Sequence, residues 1–197
     1  MRNTAAAIIL ILGLSCTACT HSIKSDYILK KDEESIVIGQ IILPAAGRAY
    51  VDRPLYGNDA SFSFTTIMGR DSRIYNVAPD QSGPVCTFYI AVPQGRYRID
   101  SIKWGELSAD VKGIFTIFET GKVYYIGTIK MMVPERDPGL MAAQIVMDIF
   151  SHRRSVPVVY TVVDDFNQVT AEFKKKFPNM PGTIEKSLIK FKDPYQR

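Results

Sequence analysis

The chain has 197 residues, of which 46% are hydrophobic and 22% are charged, and its formal net charge at pH 7 is +4. This composition excludes disordered, collagen-like and coiled-coil proteins. The length suits one domain with a substantial core, because a chain of about 180 residues buries roughly 70% of its unfolded surface. The 13 Gly, 11 Pro, 10 Tyr and 10 Phe favour strands joined by turns over a bundle of helices.

The N-terminus has the layout of a secretory signal peptide. Arg2 precedes the apolar residues 5–14. Polar residues then follow too soon for a membrane-spanning helix, which needs about 20 apolar residues. We predict a signal peptide over residues 1–15, a flexible polar tether over residues 16–34 and a single folded domain over residues 35–197.

The folded domain begins with short apolar runs separated by turn residues. The runs predict strands over residues 36–43, 61–68, 73–77, 85–92, 96–103, 114–118 and 123–133. The linkers between them contain the Gly, Pro or Asn that a chain reversal needs. Strands of this number and spacing predict an antiparallel β-sandwich or barrel.

Cys86 lies in one of these predicted strands. A period of two places it on the same face as Phe88 and Ile90, which is typical of a core face. We therefore expect a buried, inert thiol. The alternatives are a disulfide with Cys19 and a reactive nucleophile.

The pattern changes after residue 133. Residues 140–150 are rich in Met, Ala and Leu and predict a helix over about 139–152, followed by a strand over residues 157–163. An apolar stripe at helical spacing predicts a second helix over residues 165–177, and a last helix is predicted over residues 183–191. The expected domain is therefore mainly β (α+β), an antiparallel β-sandwich with two or three C-terminal helices.

The end of the signal peptide resembles the lipobox of bacterial lipoproteins. Cys16 follows Leu14 and Ser15, and Cys19 follows Thr17 and Ala18. The resemblance implies that Cys16, or alternatively Cys19, carries the lipid that holds the protein on the membrane. Because Thr follows either cysteine, the sorting rule of that family implies the outer membrane of a Gram-negative cell, with the body facing the periplasm. The alternative is an ordinary signal peptide and a soluble secreted protein.

A second resemblance concerns the strand-turn-strand sequence FYIAVPQGRYRI at residues 88–99 and the later GKVYYIG at residues 121–127. These segments are similar to prealbumin-like or carboxypeptidase-regulatory-like β-sandwich domains, and in particular to poorly characterised bacterial lipoproteins that carry such a domain. The resemblance covers residues 36–133. It implies a non-enzymatic adhesive or scaffolding module and supplies no functional residues.

Few residues suggest catalysis or metal binding. The chain has only two histidines, His21 and His152, and it lacks a Walker loop, a nucleophile elbow and paired metal-binding cysteines. We therefore predict no catalytic residue, no metal and no cofactor. The one enzymatic alternative is a cell-wall hydrolase that uses an acidic pair. Its candidates, which we interpret as surface charges, are Asp100, Glu106, Asp110 and Glu119.

Two segments are candidate contact surfaces. The first is the Met-rich segment, which could contact a partner or the membrane or simply cover a sheet; its contact residues are Leu140, Met141, Ile145, Met147 and Phe150. The second is the basic run of Lys174, Lys175 and Lys176, which would face anionic lipid or serve as a solvated helix face. An exported protein is not expected to bind nucleic acid.

These observations predict a lipid-anchored binding or structural module of the bacterial cell envelope without catalytic activity. Its expected partners are the membrane, through the N-terminal lipid, and a candidate envelope protein. One alternative is an envelope inhibitor or immunity-type lipoprotein that binds through loops such as residues 56–60. The other is the cell-wall hydrolase.

Overall fold

The computed structural model describes residues 19–43, 61–67, 74–78, 84–104, 107–132, 158–180 and 182–191. Within these ranges the chain is mainly β. Its strands are β1 (Cys19–His21), β2 (Ser35–Ile42), β3 (Ser61–Thr66), β4 (Ile74–Ala78), β5 (Val85–Val92), β6 (Gly95–Trp104), β7 (Leu107–Ile117), β8 (Val123–Met132), β9 (Val159–Val163), β10 (Ile184–Lys186) and β11 (Lys190–Phe191). The helix α1 (Phe166–Lys176) lies between β9 and β10.

The strands form two sheets. Sheet A has the order β1-β4-β3-β6-β7-β11, and sheet B has the order β10-β8-β2-β5. Strand β9 also pairs with β8, along the later residues of β8, whereas β10 pairs with its first residues. Most pairs are antiparallel, as predicted, but β1 with β4, β2 with β8 and β10 with β8 are parallel. Alternation of apolar residues identifies a strand but not its partner, which explains why the sequence did not indicate these three pairs.

One hydrophobic core contains residues from both sheets. Phe62 of β3 and Phe88 of β5 show this contact, because their ring centroids lie 4.4 Å apart. Strand β4 alternates exposed and buried residues, as a strand with one solvated face should. Strand β2 instead has Val37 in this core and Ile38 in a second cluster, so both of its faces are covered.

The second cluster lies on the other face of sheet B, beneath α1. The helix begins and ends one residue inside the predicted range of 165–177. Its apolar stripe, which includes Val169 and Phe173, packs with Ile38 and Tyr89 of the sheet. The helix therefore covers the face of sheet B that is turned away from sheet A.

Residues 183–191 differ from the prediction, since they form β10 and β11 rather than a helix. Their backbone is extended because β8 carbonyls take its donors: the N–H of Ser187 donates to Tyr125 O and that of Ile189 donates to Ile126 O, each at 2.9 Å. The segment passes from the edge of sheet B to the edge of sheet A. Tertiary pairing here overrides a helical apolar pattern.

Residues 22–34 of the predicted tether lie against the body. Ile23 is 8% exposed, the hydroxyl of Tyr27 donates to the carboxylate of Glu34, and the N–H of Gly121 donates to Glu34 O at 2.8 Å. Three apolar residues, Ile23, Tyr27 and Leu29, join the second cluster, which explains why the segment stays on the surface of the body.

The predicted helix over 139–152 lies outside the described residues. No helix in the described part of the chain has the length and hydropathy to cross a membrane.

Candidate functional site

The N-terminal segment meets the helix at one corner of the molecule, which we call the Tyr89 corner: Ile23, Tyr89, Phe173, Lys176 and Phe177. The N–H of Ile23 donates to the carbonyl of Tyr89 at 2.8 Å. The Tyr89 ring lies 5.1 Å from that of Phe177 and 5.8 Å from that of Phe173, measured between centroids. All five residues therefore meet on the edge strand β5.

The local sequence explains this arrangement. Tyr89 pairs with Ile38 in the register of β5 and β2, and both belong to the cluster beneath the helix. Phe173 and Phe177 are four residues apart, a spacing that places them on one side of a helix. The side chain of Lys176 extends over this aromatic surface, with Nζ 5.1 Å from the Tyr89 centroid and 5.6 Å from the Phe177 centroid. An ammonium group over an aromatic face is a favourable electrostatic contact.

The charges of α1 are separated along its length. Its last turn contains Lys174, Lys175 and Lys176, and the first two are exposed. Basic side chains there also interact favourably with the negative end of the helix dipole. The carboxylate of Glu172, one turn earlier, accepts hydrogen bonds from Gln40 at 3.2 Å and Gln168 at 3.3 Å. The end of the helix at the Tyr89 corner is therefore positively charged.

The opposite end of the helix carries the acidic groups. Asp164 forms an ion pair with Lys186 at 2.7 Å, and this hydrogen bond holds the pKa of the Asp164 carboxyl below its ordinary value. Nζ of Lys186 also lies 4.6 Å from the ring centroid of Phe166. Acidic residues thus precede the helix and three lysines end it, with Glu172 one turn before the lysines.

The chain reaches the Tyr89 corner from sheet A. Strand β1 pairs with β4 at one edge of that sheet, and the hydroxyl of Ser22 donates to Ala78 O at 2.9 Å. The next residue, Ile23, bonds to sheet B. Cys19, the alternative lipid attachment residue, is the first residue of β1, whereas Cys16 lies outside the described residues. The N-terminal segment therefore bridges the two sheets immediately after the candidate anchor.

The structure places the remaining predicted residues as follows. Cys86 is 2% exposed in the shared core, and burial raises the pKa of its thiol. Asp100 forms an ion pair with Arg98 at 2.7 Å, and Asp110 is exposed on β7. Glu106 and the five candidate contact residues, Leu140, Met141, Ile145, Met147 and Phe150, lie outside the described ranges.

Lys122 joins two acidic residues that are far apart in the sequence. It forms ion pairs with Glu119 at 2.7 Å and with Glu185 at 2.6 Å, and both hydrogen bonds raise the pKa of Lys122. The pairs connect the turn between β7 and β8 to β10. Glu119, one of the candidate carboxylates, is therefore held in an ion pair.

Two polar networks near the helix were not predicted from the sequence. Gln40 is 3% exposed, and its amide donates to the hydroxyl of Thr87 at 3.1 Å as well as to Glu172. The hydroxyl of Tyr125 accepts from the N–H of Asp165 at 2.8 Å and donates to Val163 O at 3.3 Å. The one sequence signal for such a network was the polar Gln40 inside the apolar run SIVIGQII, because a buried polar side chain needs a hydrogen-bond partner.

No group of three or more His, Cys, Asp or Glu side chains in the described ranges is arranged to hold a metal ion. Comparison with protein-family models gives no match, and comparisons with curated proteins and with solved structures give no significant match. The two resemblances stated from the sequence remain predictions.

Proposed function

We propose that this protein is a lipid-anchored binding or structural module of the bacterial cell envelope, without catalytic activity. The lipid is attached to Cys16, or alternatively to Cys19, and the body faces the periplasm from the outer membrane. The observation that carries the proposal is the apolar run 5–14, which is followed by the small residue Ser15 and by Cys16. Two acyl chains or more hold a protein on a membrane durably.

The body is proposed to be a β-sandwich that acts as a rigid scaffold. In support, residues of both sheets share one core, and the outer face of sheet B is covered by α1. A rigid body of this kind suits a binding role, because exposed loops on a stable scaffold commonly carry recognition. The Met-rich segment is the proposed contact for an envelope protein, through Met141 and Met147 among others.

Metabolic labelling tests the anchor. The full chain is expressed in a Gram-negative host fed an alkyne fatty acid, and the label is compared in the wild type, Cys16→Ala, Cys19→Ala and the control Cys86→Ser. We expect one of the two N-terminal substitutions to abolish the label and the membrane recovery, while Cys86→Ser keeps both. A wild-type chain that carries no label would overturn the proposal.

Cross-linking in intact cells, followed by mass spectrometry, tests the binding role. We expect a reproducible envelope partner whose recovery falls when Met141 and Met147 are both replaced by Gln, with the melting temperature nearly unchanged. A large loss of stability would instead assign these residues to the core. A tight one-to-one complex with a wall-degrading enzyme would favour the inhibitor or immunity alternative. Turnover of cell-wall glycan that Asp100→Asn or Glu119→Gln abolishes would favour the hydrolase.

A further inference from the structure

At the Tyr89 corner, the basic end of α1 lies beside a part of the chain that follows the candidate anchor by only a few residues. Ile23 follows Cys19 by four residues and contacts the same tyrosine that Lys176 covers. Cys16 precedes Cys19 by only three residues in the sequence. If either cysteine carries lipid, this corner lies close to the bilayer surface.

We propose that the last turn of α1 binds the anionic headgroups of the membrane in which the protein is anchored. This inference rests on the proposed lipid attachment and adds to it an orientation of the body. Lys174 and Lys175 are exposed and would supply the contacts together with Lys24, which follows Ile23 and is also exposed. Polybasic segments gain affinity for anionic lipid only within about one Debye length of the surface, roughly 8 Å at physiological ionic strength.

The distribution of acidic groups supports anionic lipid as the ligand. On α1, the carboxylate of Glu172 lies one turn before the lysines and accepts hydrogen bonds from the neutral amides of Gln40 and Gln168, whereas Asp165 precedes the other end of the helix. Asp26 is the exposed carboxylate closest in sequence to Lys24, and it lowers the local positive charge by one. Against these two carboxylates, Asp26 and Glu172, the four lysines of the last turn and of position 24 leave a net positive surface.

Several contacts fix the N-terminal segment to the Tyr89 corner. The hydrogen bond from Ile23 to Tyr89 and the cluster of Ile23 with Phe173 and Phe177 hold the chain against the helix. A long flexible tether would let the body turn freely above the membrane. A body fixed within a few residues of its lipid turns one particular side toward the membrane. We infer that this side is the Tyr89 corner, which carries the lysines.

Amine footprinting of the intact, lipid-modified protein in vesicles tests the inference. The vesicles consist of phosphatidylcholine alone or of phosphatidylcholine with phosphatidylglycerol, and a membrane-impermeant acylating reagent is followed by mass spectrometry. With phosphatidylglycerol we expect acylation of Lys174 and Lys175 to slow by about fivefold, and we expect high salt to restore it. Lys112 and Lys190 serve as controls, since β7 and β11 lie at the edge of sheet A opposite β1.

Charge reversal provides the matched variants. In K174E/K175E we expect Lys24 to lose its protection, whereas K112E/K190E, which changes charge by the same amount, should keep it. Equal acylation with and without phosphatidylglycerol, or equal protection of Lys112 and Lys190, would overturn the inference. A chain that carries fatty acid but shows no protection overturns only this orientation, whereas a chain without fatty acid overturns the proposed function.

Discussion

The hydroxyl of Tyr125, the third residue of β8, accepts a hydrogen bond at 2.8 Å from the backbone N–H of Asp165, immediately before α1. The same hydroxyl donates to Val163 O at 3.3 Å, at the end of β9. Tyr125 has no exposed surface, and burial raises the pKa of its phenol. One side chain therefore fixes the point at which the chain leaves β9 and begins the helix.

Replacing Tyr125 by Phe should lower the free energy of unfolding by about 1–2 kcal/mol, because the N–H of Asp165 and the carbonyl of Val163 lose a partner. Urea unfolding followed by circular dichroism measures the effect. Tyr160→Phe is the control, since no hydrogen bond of the Tyr160 hydroxyl is found among the described residues. Equal effects of the two substitutions would show that the Tyr125 network contributes nothing specific.

Gly113 of β7 leaves room for the segment that follows β10. A Cβ atom at this position would lie 2.6 Å from Cγ2 of Ile189 and 2.9 Å from Cε1 of Phe191. Gly113→Ala should therefore displace this segment and cost about 1–3 kcal/mol of unfolding free energy. Gly182→Ala is the matched control, because no atom lies within 4 Å of its added Cβ. Thermal unfolding that leaves the two variants equally stable would contradict the close packing of the segment on β7.

Lys112 has a positive φ of 33°, in the left-handed region that favours glycine. The register of β6 and β7 shifts here, so that Val111 and Lys112 lie opposite the single residue Asp100. Lys112→Gly relieves the strain and should raise stability by up to about 1 kcal/mol, after the greater entropy of the unfolded glycine is subtracted. The same substitution at Lys130, in β8, should lower stability instead. Chemical denaturation of both variants checks the opposite signs.

Asp164 makes stability depend on acid pH. Its ion pair with Lys186 holds its folded pKa below the ordinary value of 3.8. The folded state therefore binds this proton more weakly than the unfolded state. The stabilisation by the ion pair is complete above the pKa of Asp164 in the unfolded state, and it is lost as the pH falls through the pKa in the folded state. Lys186→Met should raise the Asp164 pKa toward its ordinary value, which carboxyl chemical shifts in an NMR titration would detect. An unchanged titration would show that the pair is not formed in solution.

Strands β2 to β9 follow from local patterns, although the sequence indicated only the last part of β7. Residues 85–92 alternate or run apolar between clear turn residues, and the structure gives β5 the same bounds. The helix follows from Phe166, Val169 and Phe173 at helical spacing. Each of these signals lies within a few residues of the element that it predicts.

The other features depend on contacts between distant parts of the chain. The sequence of residues 184–191 fits a helix, but its backbone donors bond to Tyr125 and Ile126 of β8, which no local pattern contains. Ile23 likewise reaches Tyr89 through a hydrogen bond across the fold, so a polar segment that resembles a tether lies on the body. The Tyr89 corner could not be predicted, because it requires both the register of β5 and the direction of α1.

The segments that bridge the two sheets also determine how much of the chain must be present before the fold can be completed. Ile23 is made early, yet its partner Tyr89 follows only after β3 and β4 have been made. On the other side, β10 and β11 are the last described strands, and they cover the edges of β8 and β7. In a chain that lacks them, both edges present unpaired backbone groups to any neighbouring strand. A chain that stops before residue 182 would therefore be prone to pair with other chains, whereas a chain that contains β10 and β11 closes these edges with its own backbone.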